Sequence, residues 1–407
     1  MLVTFKEHEH LARNIRLSRN TSILLVKFKE NEHPARKICN NNIMTKVNLF
    51  GMTLAELEGL CASEGMPRFA AKQMADWLYA KHVDSIDGMT NLSLKARARL
   101  NETACIGRQA PINCQVSRDG TKKYLFEIEN SKLKIENNAD AGNNSQFSIL
   151  NSQLTKYVEA VYIPDGDRAT LCISCQAGCR MGCRFCVTGQ QGFHGSLSAA
   201  DILNQIFSIP EFDRLTNIVY MGMGEPMDNL DAVLRSTEVL TAPWGLGWSP
   251  KRITVSTVGI IPGLERFLNE SQCHVAVSLH NPFAAERQDV MPMQRAYPIA
   301  DVIALLRRYD WSGQRRISFE YIMFRGLNDD TRHAAELVRL LKGLYCRVNL
   351  IRFHASPQTP YKTSSPQTID TFRDYLNAHG VTCTLRASRG EDIMAACGLL
   401  AGQKKNG

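Results

Sequence analysis

No stretch of about 18 consecutive apolar residues occurs in the 407-residue sequence, which excludes a hydrophobic membrane-spanning helix. The N-terminus, MLVTFKEHEHLARN, lacks the apolar segment of a secretory signal and carries acids and histidines in its place, so a cytoplasmic location is expected. A large excess of one charge sign is also missing, since 48 Lys and Arg against 40 Asp and Glu leave +8 with His neutral. A surplus of that size permits approach to a polyanion without demanding one. Disordered and fibrous classes are excluded by 44% hydrophobic and 22% charged residues with 27 Gly and 15 Pro. An even, dispersed cysteine framework is absent too. Of 13 cysteines, five fall between Cys172 and Cys186, which suits metal or thiol chemistry in a reducing compartment better than extracellular disulfides.

The chain divides into segments of different pattern. Residues 1–43 carry a near repeat, FKEHEHLARNI at 5–15 and FKENEHPARKI at 28–38, identical at 8 of 11 positions. A solenoid needs about three stacked units to bury a shared core, so this segment reads as a flexible extension. Met44 stands just before a normal domain opening and is a plausible second start, which would make the extension non-native. Residues 48–105 have helical spacing, with Leu54, Leu57, Leu60 and Cys61, then Phe69, Met74, Trp77 and Leu78, and predict a small helical domain. Its interleaved Arg68, Lys72, Lys81, Lys95, Arg97 and Arg99 suit either solvated helix faces or contact with nucleic acid.

Residues 106–167 read as a β-hairpin linker, with strands KKYLFEIE and KYVEAVYI flanking a polar insertion at about 130–155. From 168 to 400 six short β-rich runs, ATLCIS, NIVYMG, RITVST, HVAVSL, ISFEYIMF and VNLIRF, alternate with helical stretches. That alternation predicts an α/β fold with a parallel sheet, either barrel or doubly wound, and residues 401–407 form a tail. In barrels the chemistry gathers at the C-terminal ends of the strands, where this chain carries CISCQAGC, MGMGEP, STVG and SLHNP.

Cys179, Cys183 and Cys186 form C-x3-C-x2-C on the loop after the first of these strands. Three thiolates on one short loop can ligate three irons of a 4Fe-4S cluster and leave the fourth open to a ligand. A structural zinc is the alternative, but zinc loops usually pair two C-x2-C units and need a fourth ligand from elsewhere. Cys61, Cys105, Cys114, Cys273, Cys346 and Cys383 read as small buried hydrophobes.

This loop resembles the radical S-adenosylmethionine (SAM) superfamily, which implies a partial (β/α)6 barrel and an open iron chelated by SAM. With MGMGEP, SLHNP and the terminal RGEDIMAACGLL, the chain from about residue 49 to 400, excluding the insertion, is similar to the RlmN family, which methylates carbon 2 of adenine in 23S rRNA and in tRNA. The resemblance implies that Cys397 accepts a methyl group from one SAM and that a second SAM is cleaved to the radical that activates this methyl. It further implies that Cys172 is the resolving thiol, through a transient disulfide with Cys397, and that Glu159 is the proton acceptor. Gly224, Glu225, Ser256, Ser278, Leu279 and His280 match SAM contacts, and His354 stands where the family commonly has Asn. A flavodoxin- or ferredoxin-type electron donor, no membrane association and a monomer complete the expectation. Two readings compete: a Cfr-type enzyme that methylates carbon 8 by the same cysteine chemistry, and a non-catalytic RNA-binding protein with zinc.

Overall fold

The computed structural model describes residues 46–128, 156–355, 359–396 and 398–402, and the backbone of strand β1, Leu24–Val26. Both repeat copies, the insertion near 130–155 and Cys397 lie outside the described residues. β1 runs antiparallel to a strand of the linker at the outer edge of the main sheet.

Two short parallel strands, β2 (Val47–Asn48) and β3 (Ala104–Cys105), bring together the ends of the small helical unit. Its first helix, α1 (Leu54–Ser63), opens on a capping box in which Thr53 Oγ1 accepts from the Glu56 N–H and Glu56 Oε2 accepts from the Thr53 N–H. The helical spacing places Leu57 and Cys61 in one core with Met74, Leu78 and Tyr79, from α2 (Phe69–Ala75) and the wide turn Asp76–Ala80 that extends it. α3 (Leu94–Thr103) closes the unit. It sits firmly on the larger domain. Phe50 and Tyr79 pack against Phe207 with ring centroids 5.1 and 6.1 Å apart, and the Gln109 backbone exchanges hydrogen bonds with the Asn204 amide. On the unit's surface Arg68, Lys81 and Arg99 pair with Glu58, Asp76 and Glu64.

The linker supplies an antiparallel meander, β4 (Asn113–Val116), β5 (Lys122–Ile128) and β6 (Lys156–Asp165), which leads into β7 (Arg168–Cys172). The β5–β6 register runs from Lys122↔Tyr162 to Ile128↔Lys156, so the insertion joins the far end of a regular hairpin. A separate two-stranded ribbon, β8 (Gln176–Gly178) and β9 (Phe193–Ser196), follows β7.

β10 (Asn217–Tyr220), β11 (Ile253–Thr257), β12 (His274–Ser278), β13 (Ile317–Met323) and β14 (Arg347–Arg352) then continue the sheet in parallel from β7. These are the six expected strands. A seventh, β15 (Thr382–Arg386), pairs in parallel with β14 after the helix Pro366–Ala378 and extends the partial barrel by one βα unit. Its sequence, TCTLR, escapes the pattern because an edge strand buries little, and only Cys383 is inside. The other crossovers run through the helices Ala199–Phe207, Leu230–Thr241, Ile261–Glu270, Ile299–Leu306 and Thr331–Leu341. β15 ends one edge of the eleven-stranded sheet and β1 the other, so the barrel stays open. Among the described residues no helix is long and apolar enough to cross a membrane.

Candidate active site

The three motif cysteines sit where the β8–β9 ribbon opens. Gln176↔Ser196 and Gly178↔Phe193 pair at its base, and the Cys179 N–H bonds to the Gly192 carbonyl at 2.9 Å, so the segment between is a closed loop with fixed ends. All three line one cavity at the C-terminal ends of the parallel strands, with about 900 Å³ of empty space, its open mouth included. Burial raises each of their thiol pKa values, that of Cys179 to about 12, and the neighbouring thiols push Cys179 and Cys183 up further. Three thiolates therefore need a compensating positive centre. A 4Fe-4S cluster fits this donor set, because it would take one cysteine per iron and leave the fourth iron without a protein ligand. Among the described residues no three His, Cys, Asp or Glu side chains converge as the ligands of a single metal ion do.

The turn after β10 forms the adjoining wall. Gly224 adopts φ +99, and a Cβ there would lie 2.5 Å from Gln176 Cβ and 2.8 Å from its backbone nitrogen. Glu225 is buried beneath it. Gln176 Oε1 accepts the Glu225 N–H, and the Glu225 carboxylate accepts the N–H groups of Met227 and Val258 at 3.1 and 2.9 Å. Burial raises its pKa to about 7, against the pull of those hydrogen bonds. A ligand ammonium beside it favours the charged form.

Ser256 on β11 and Ser278 at the end of β12 reach the same cavity, as does His280. His280 has φ 55, held by Asn328, whose amide donates to its carbonyl at 2.6 Å. The Ile322 N–H donates to His280 Nδ1 at 3.0 Å, and burial lowers the imidazole pKa to about 3, with a smaller push from Arg287. The ring is therefore neutral with its proton on Nε2, a donor for a ligand. Leu279 does not line the cavity; its side chain is in the core.

The remaining expected residues are dispersed. Glu159 is buried, with Oε1 3.1 Å from Lys123 Nζ and Oε2 accepting the Ala401 N–H at 2.8 Å. Gly398 and Leu400 line the main cavity, and their carbonyls accept from the Val187 N–H and Thr188 Oγ1. The segment on the C-terminal side of Cys397 is thereby pinned beside the cysteine loop. Cys172 is buried at the end of β7, outside the cavity lining. His354 faces a neighbouring polar recess with Arg352 and Thr363, its Nδ1 3.4 Å from Glu391. Of the cysteines read as buried, Cys61, Cys114, Cys273 and Cys383 are, whereas Cys105 and Cys346 are half-buried.

Two residues that pattern reading misses organise the site. Gln176 ties the ribbon to the Glu225 turn. Arg287, fully buried, sends hydrogen bonds to the carbonyls of Leu279, Val258 and Ser278 and to Gln294 Oε1, binding the ends of β11 and β12 into one frame. Nothing in its local sequence distinguishes Arg287 from a surface helix residue.

Residues 173–338 match the radical SAM superfamily, and residues 47–106 match the family described as ribosomal RNA large subunit methyltransferase N-terminal domain. The crystal structure of a radical SAM methyltransferase from Sphaerobacter thermophilus is similar at TM-score 0.76 and 37% identity, over 88% of this chain and 100% of that one. Fold and site together define a radical SAM methyltransferase, with SAM and a 4Fe-4S cluster as cofactors. Among full-length relatives, a Bacteroides fragilis (strain YCH46) protein described as "Probable dual-specificity RNA methyltransferase RlmN" is 53% identical over 362 residues, 89% of this chain and 98% of its own. The "Dual-specificity RNA methyltransferase RlmN" of Syntrophus aciditrophicus is 39% identical over 364 residues, 88% and 98% of the two chains. The chain belongs to the RlmN family.

Proposed function

We propose that the protein methylates carbon 2 of adenine in 23S rRNA and in tRNA, by way of a methyl group carried on Cys397 and at the expense of two SAM molecules per product. That carbon has no nucleophilic lone pair, so direct attack on a sulfonium fails and radical chemistry is the physical answer. The observation that carries the reading is the shared cavity: the three motif cysteines on one wall, and on another Gly398, next in sequence to the proposed carrier, and Leu400.

When bound, the cluster and SAM supply the methyl group and the one-electron chemistry. This chain's residues do the rest. Glu225 and the close approach at Gly224 hold the amino-acid end of SAM, and neutral His280 offers its Nε2–H. Glu159 acts as proton acceptor once the Ala401 contact opens, since that N–H occupies one of its oxygens. Cys172 resolves the protein–RNA adduct by forming the disulfide with Cys397. The helical unit at 48–105 supports RNA, whose target base must be splayed from its stack to reach the cavity. The reading further includes a flavodoxin- or ferredoxin-type donor, a monomer and a cytoplasmic location.

Anaerobic reconstitution with iron and sulfide, then incubation of 23S rRNA fragments and tRNA with SAM and reductant, tests this by nucleoside mass spectrometry. 2-Methyladenosine is expected, Cys397→Ala should abolish it, and Cys172→Ala should leave RNA crosslinked to the protein. An 8-methyladenosine product overturns the position of methylation, and a zinc-bound inactive preparation overturns the enzyme assignment.

A further inference from the structure

A polar row crosses the parallel strands. Ser278, Glu320, Asn349 and Thr384 stand in register on β12, β13, β14 and β15, running from an exposed Thr384 at the open edge to a buried Glu320 in the barrel, where aliphatic side chains are the rule. The row is hydrogen-bonded: Thr384 Oγ1 donates to Asn349 Oδ1 at 2.9 Å, and Asn349 Nδ2 donates to Glu320 Oε1 at 2.8 Å. Ser318, two residues earlier on the same face of β13, donates to that same Oε1 at 2.9 Å. One carboxylate oxygen is thus fixed by two donors.

The other has none. Glu320 is 3% exposed, it lines the main cavity, and its Oε2 has no hydrogen-bond partner among the described residues. The guanidinium of Arg386 stands 3.8 Å away, beyond hydrogen-bond length. A buried carboxylate oxygen left without a donor is costly, so a side chain oriented by a network and left open on its cavity side needs a partner supplied from that cavity.

The position of Glu320 selects the partner. Glu225, after β10, lies three strands from Glu320, on the order of 14 Å along the sheet at the usual strand spacing. A ligand whose amino-acid end sits at Glu225 and the cysteine loop must cross Ser256 and Ser278 to reach β13. Beyond that point Ile322 and Ile351 offer the cavity a flat apolar wall suited to a base. The group between an amino-acid end and a base is a sugar, whose two hydroxyls donate to a carboxylate and accept from a serine.

We infer that Glu320 is a binding residue of this cavity, with Oε2 accepting hydrogen bonds from the ribose hydroxyls of SAM and Ser278 beside it. The inference rests on the reading that the cavity holds SAM. It adds to the site a residue that pattern reading passes over as one letter of a buried strand.

Equilibrium binding to the cluster-loaded protein without reductant tests it, using SAM and its 2′,3′-dideoxy analogue as probes. Wild-type protein should favour SAM over the analogue by roughly tenfold to a hundredfold, the range for a hydrogen bond to a charged group. Glu320→Gln and Glu320→Asp should weaken SAM by a similar factor and leave the analogue's affinity near the wild-type value. Wild-type protein that binds both equally overturns the inference, and needs no variant to fold. Equal losses for both ligands in the variants assign Glu320 a merely structural role and also overturn it. Failure of wild-type protein to bind either probe overturns the SAM reading of the cavity itself, a different result from the other two.

Discussion

Replacing Arg287 with Met is the sharpest test of how the site is held. The guanidinium makes four hydrogen bonds, three to backbone carbonyls at 2.9, 3.1 and 2.9 Å and one to Gln294 Oε1 at 2.6 Å. Burial lowers its pKa to about 10, so it stays charged at neutral pH. Methionine fills much of the space and takes the guanidinium donors from the Val258 and Ser278 carbonyls, while the Leu279 carbonyl keeps the Asn281 N–H and Gln294 Oε1 keeps the Ile299 N–H. Each orphaned acceptor costs about 1–3 kcal/mol, and the variant regains part of the desolvation cost of the cation. The net loss should be about 3 kcal/mol, seen as a fall in melting temperature on the order of 5 °C. Arg287→Lys should recover less than half of it, because a point charge cannot reproduce the fork. SAM affinity should fall with stability, since the carbonyls concerned belong to the strand ends that carry Ser256, Ser278 and His280. Differential scanning calorimetry and titration with SAM read both effects. A Met variant that melts within about 1 °C of wild type and binds SAM normally would refute the argument.

Two further outcomes follow from the site geometry. Gly224→Ala should keep the fold but weaken SAM binding at least tenfold in a titration, because φ +99 and the 2.5 Å approach to Gln176 impose a strain of about 1–3 kcal/mol on the turn. Wild-type affinity in that variant would remove the turn from the binding surface. His280 should tie stability to pH: its folded pKa of about 3 lies below the unfolded value near 6.5, so the unfolded state binds the extra proton between them. That stability is present above pH 6.5 and drains as pH falls, by about 2 kcal/mol at pH 5. Melting temperatures of wild type and His280→Gln across this window should therefore converge on acidification, and parallel curves would show that His280 is not buried neutral.

The sequence by itself reached the chemistry through local signals. C-x3-C-x2-C singles out three candidate ligands without knowledge of their surroundings, and strand–loop alternation places Gly224, Glu225, Ser256 and Ser278 at strand ends, because a parallel sheet forces that placement. Its helical spacing survives in α1 and α2, where Leu57, Cys61 and Met74 are buried. What it left out depends on neighbours distant along the chain. β15 is too exposed to carry a pattern and exists because β14 offers it an edge. Arg287 and Glu320 look like an ordinary helix cation and a stray acid until folding removes water from them. Gln176 acquires its role only by meeting the Glu225 turn. Spacing along the chain is a one-dimensional property and determined which side chains can do chemistry. Burial and hydrogen-bond direction arise only when strands far apart in sequence become neighbours, and they decided which groups are neutral, which are held, and which oxygen is left facing the cavity.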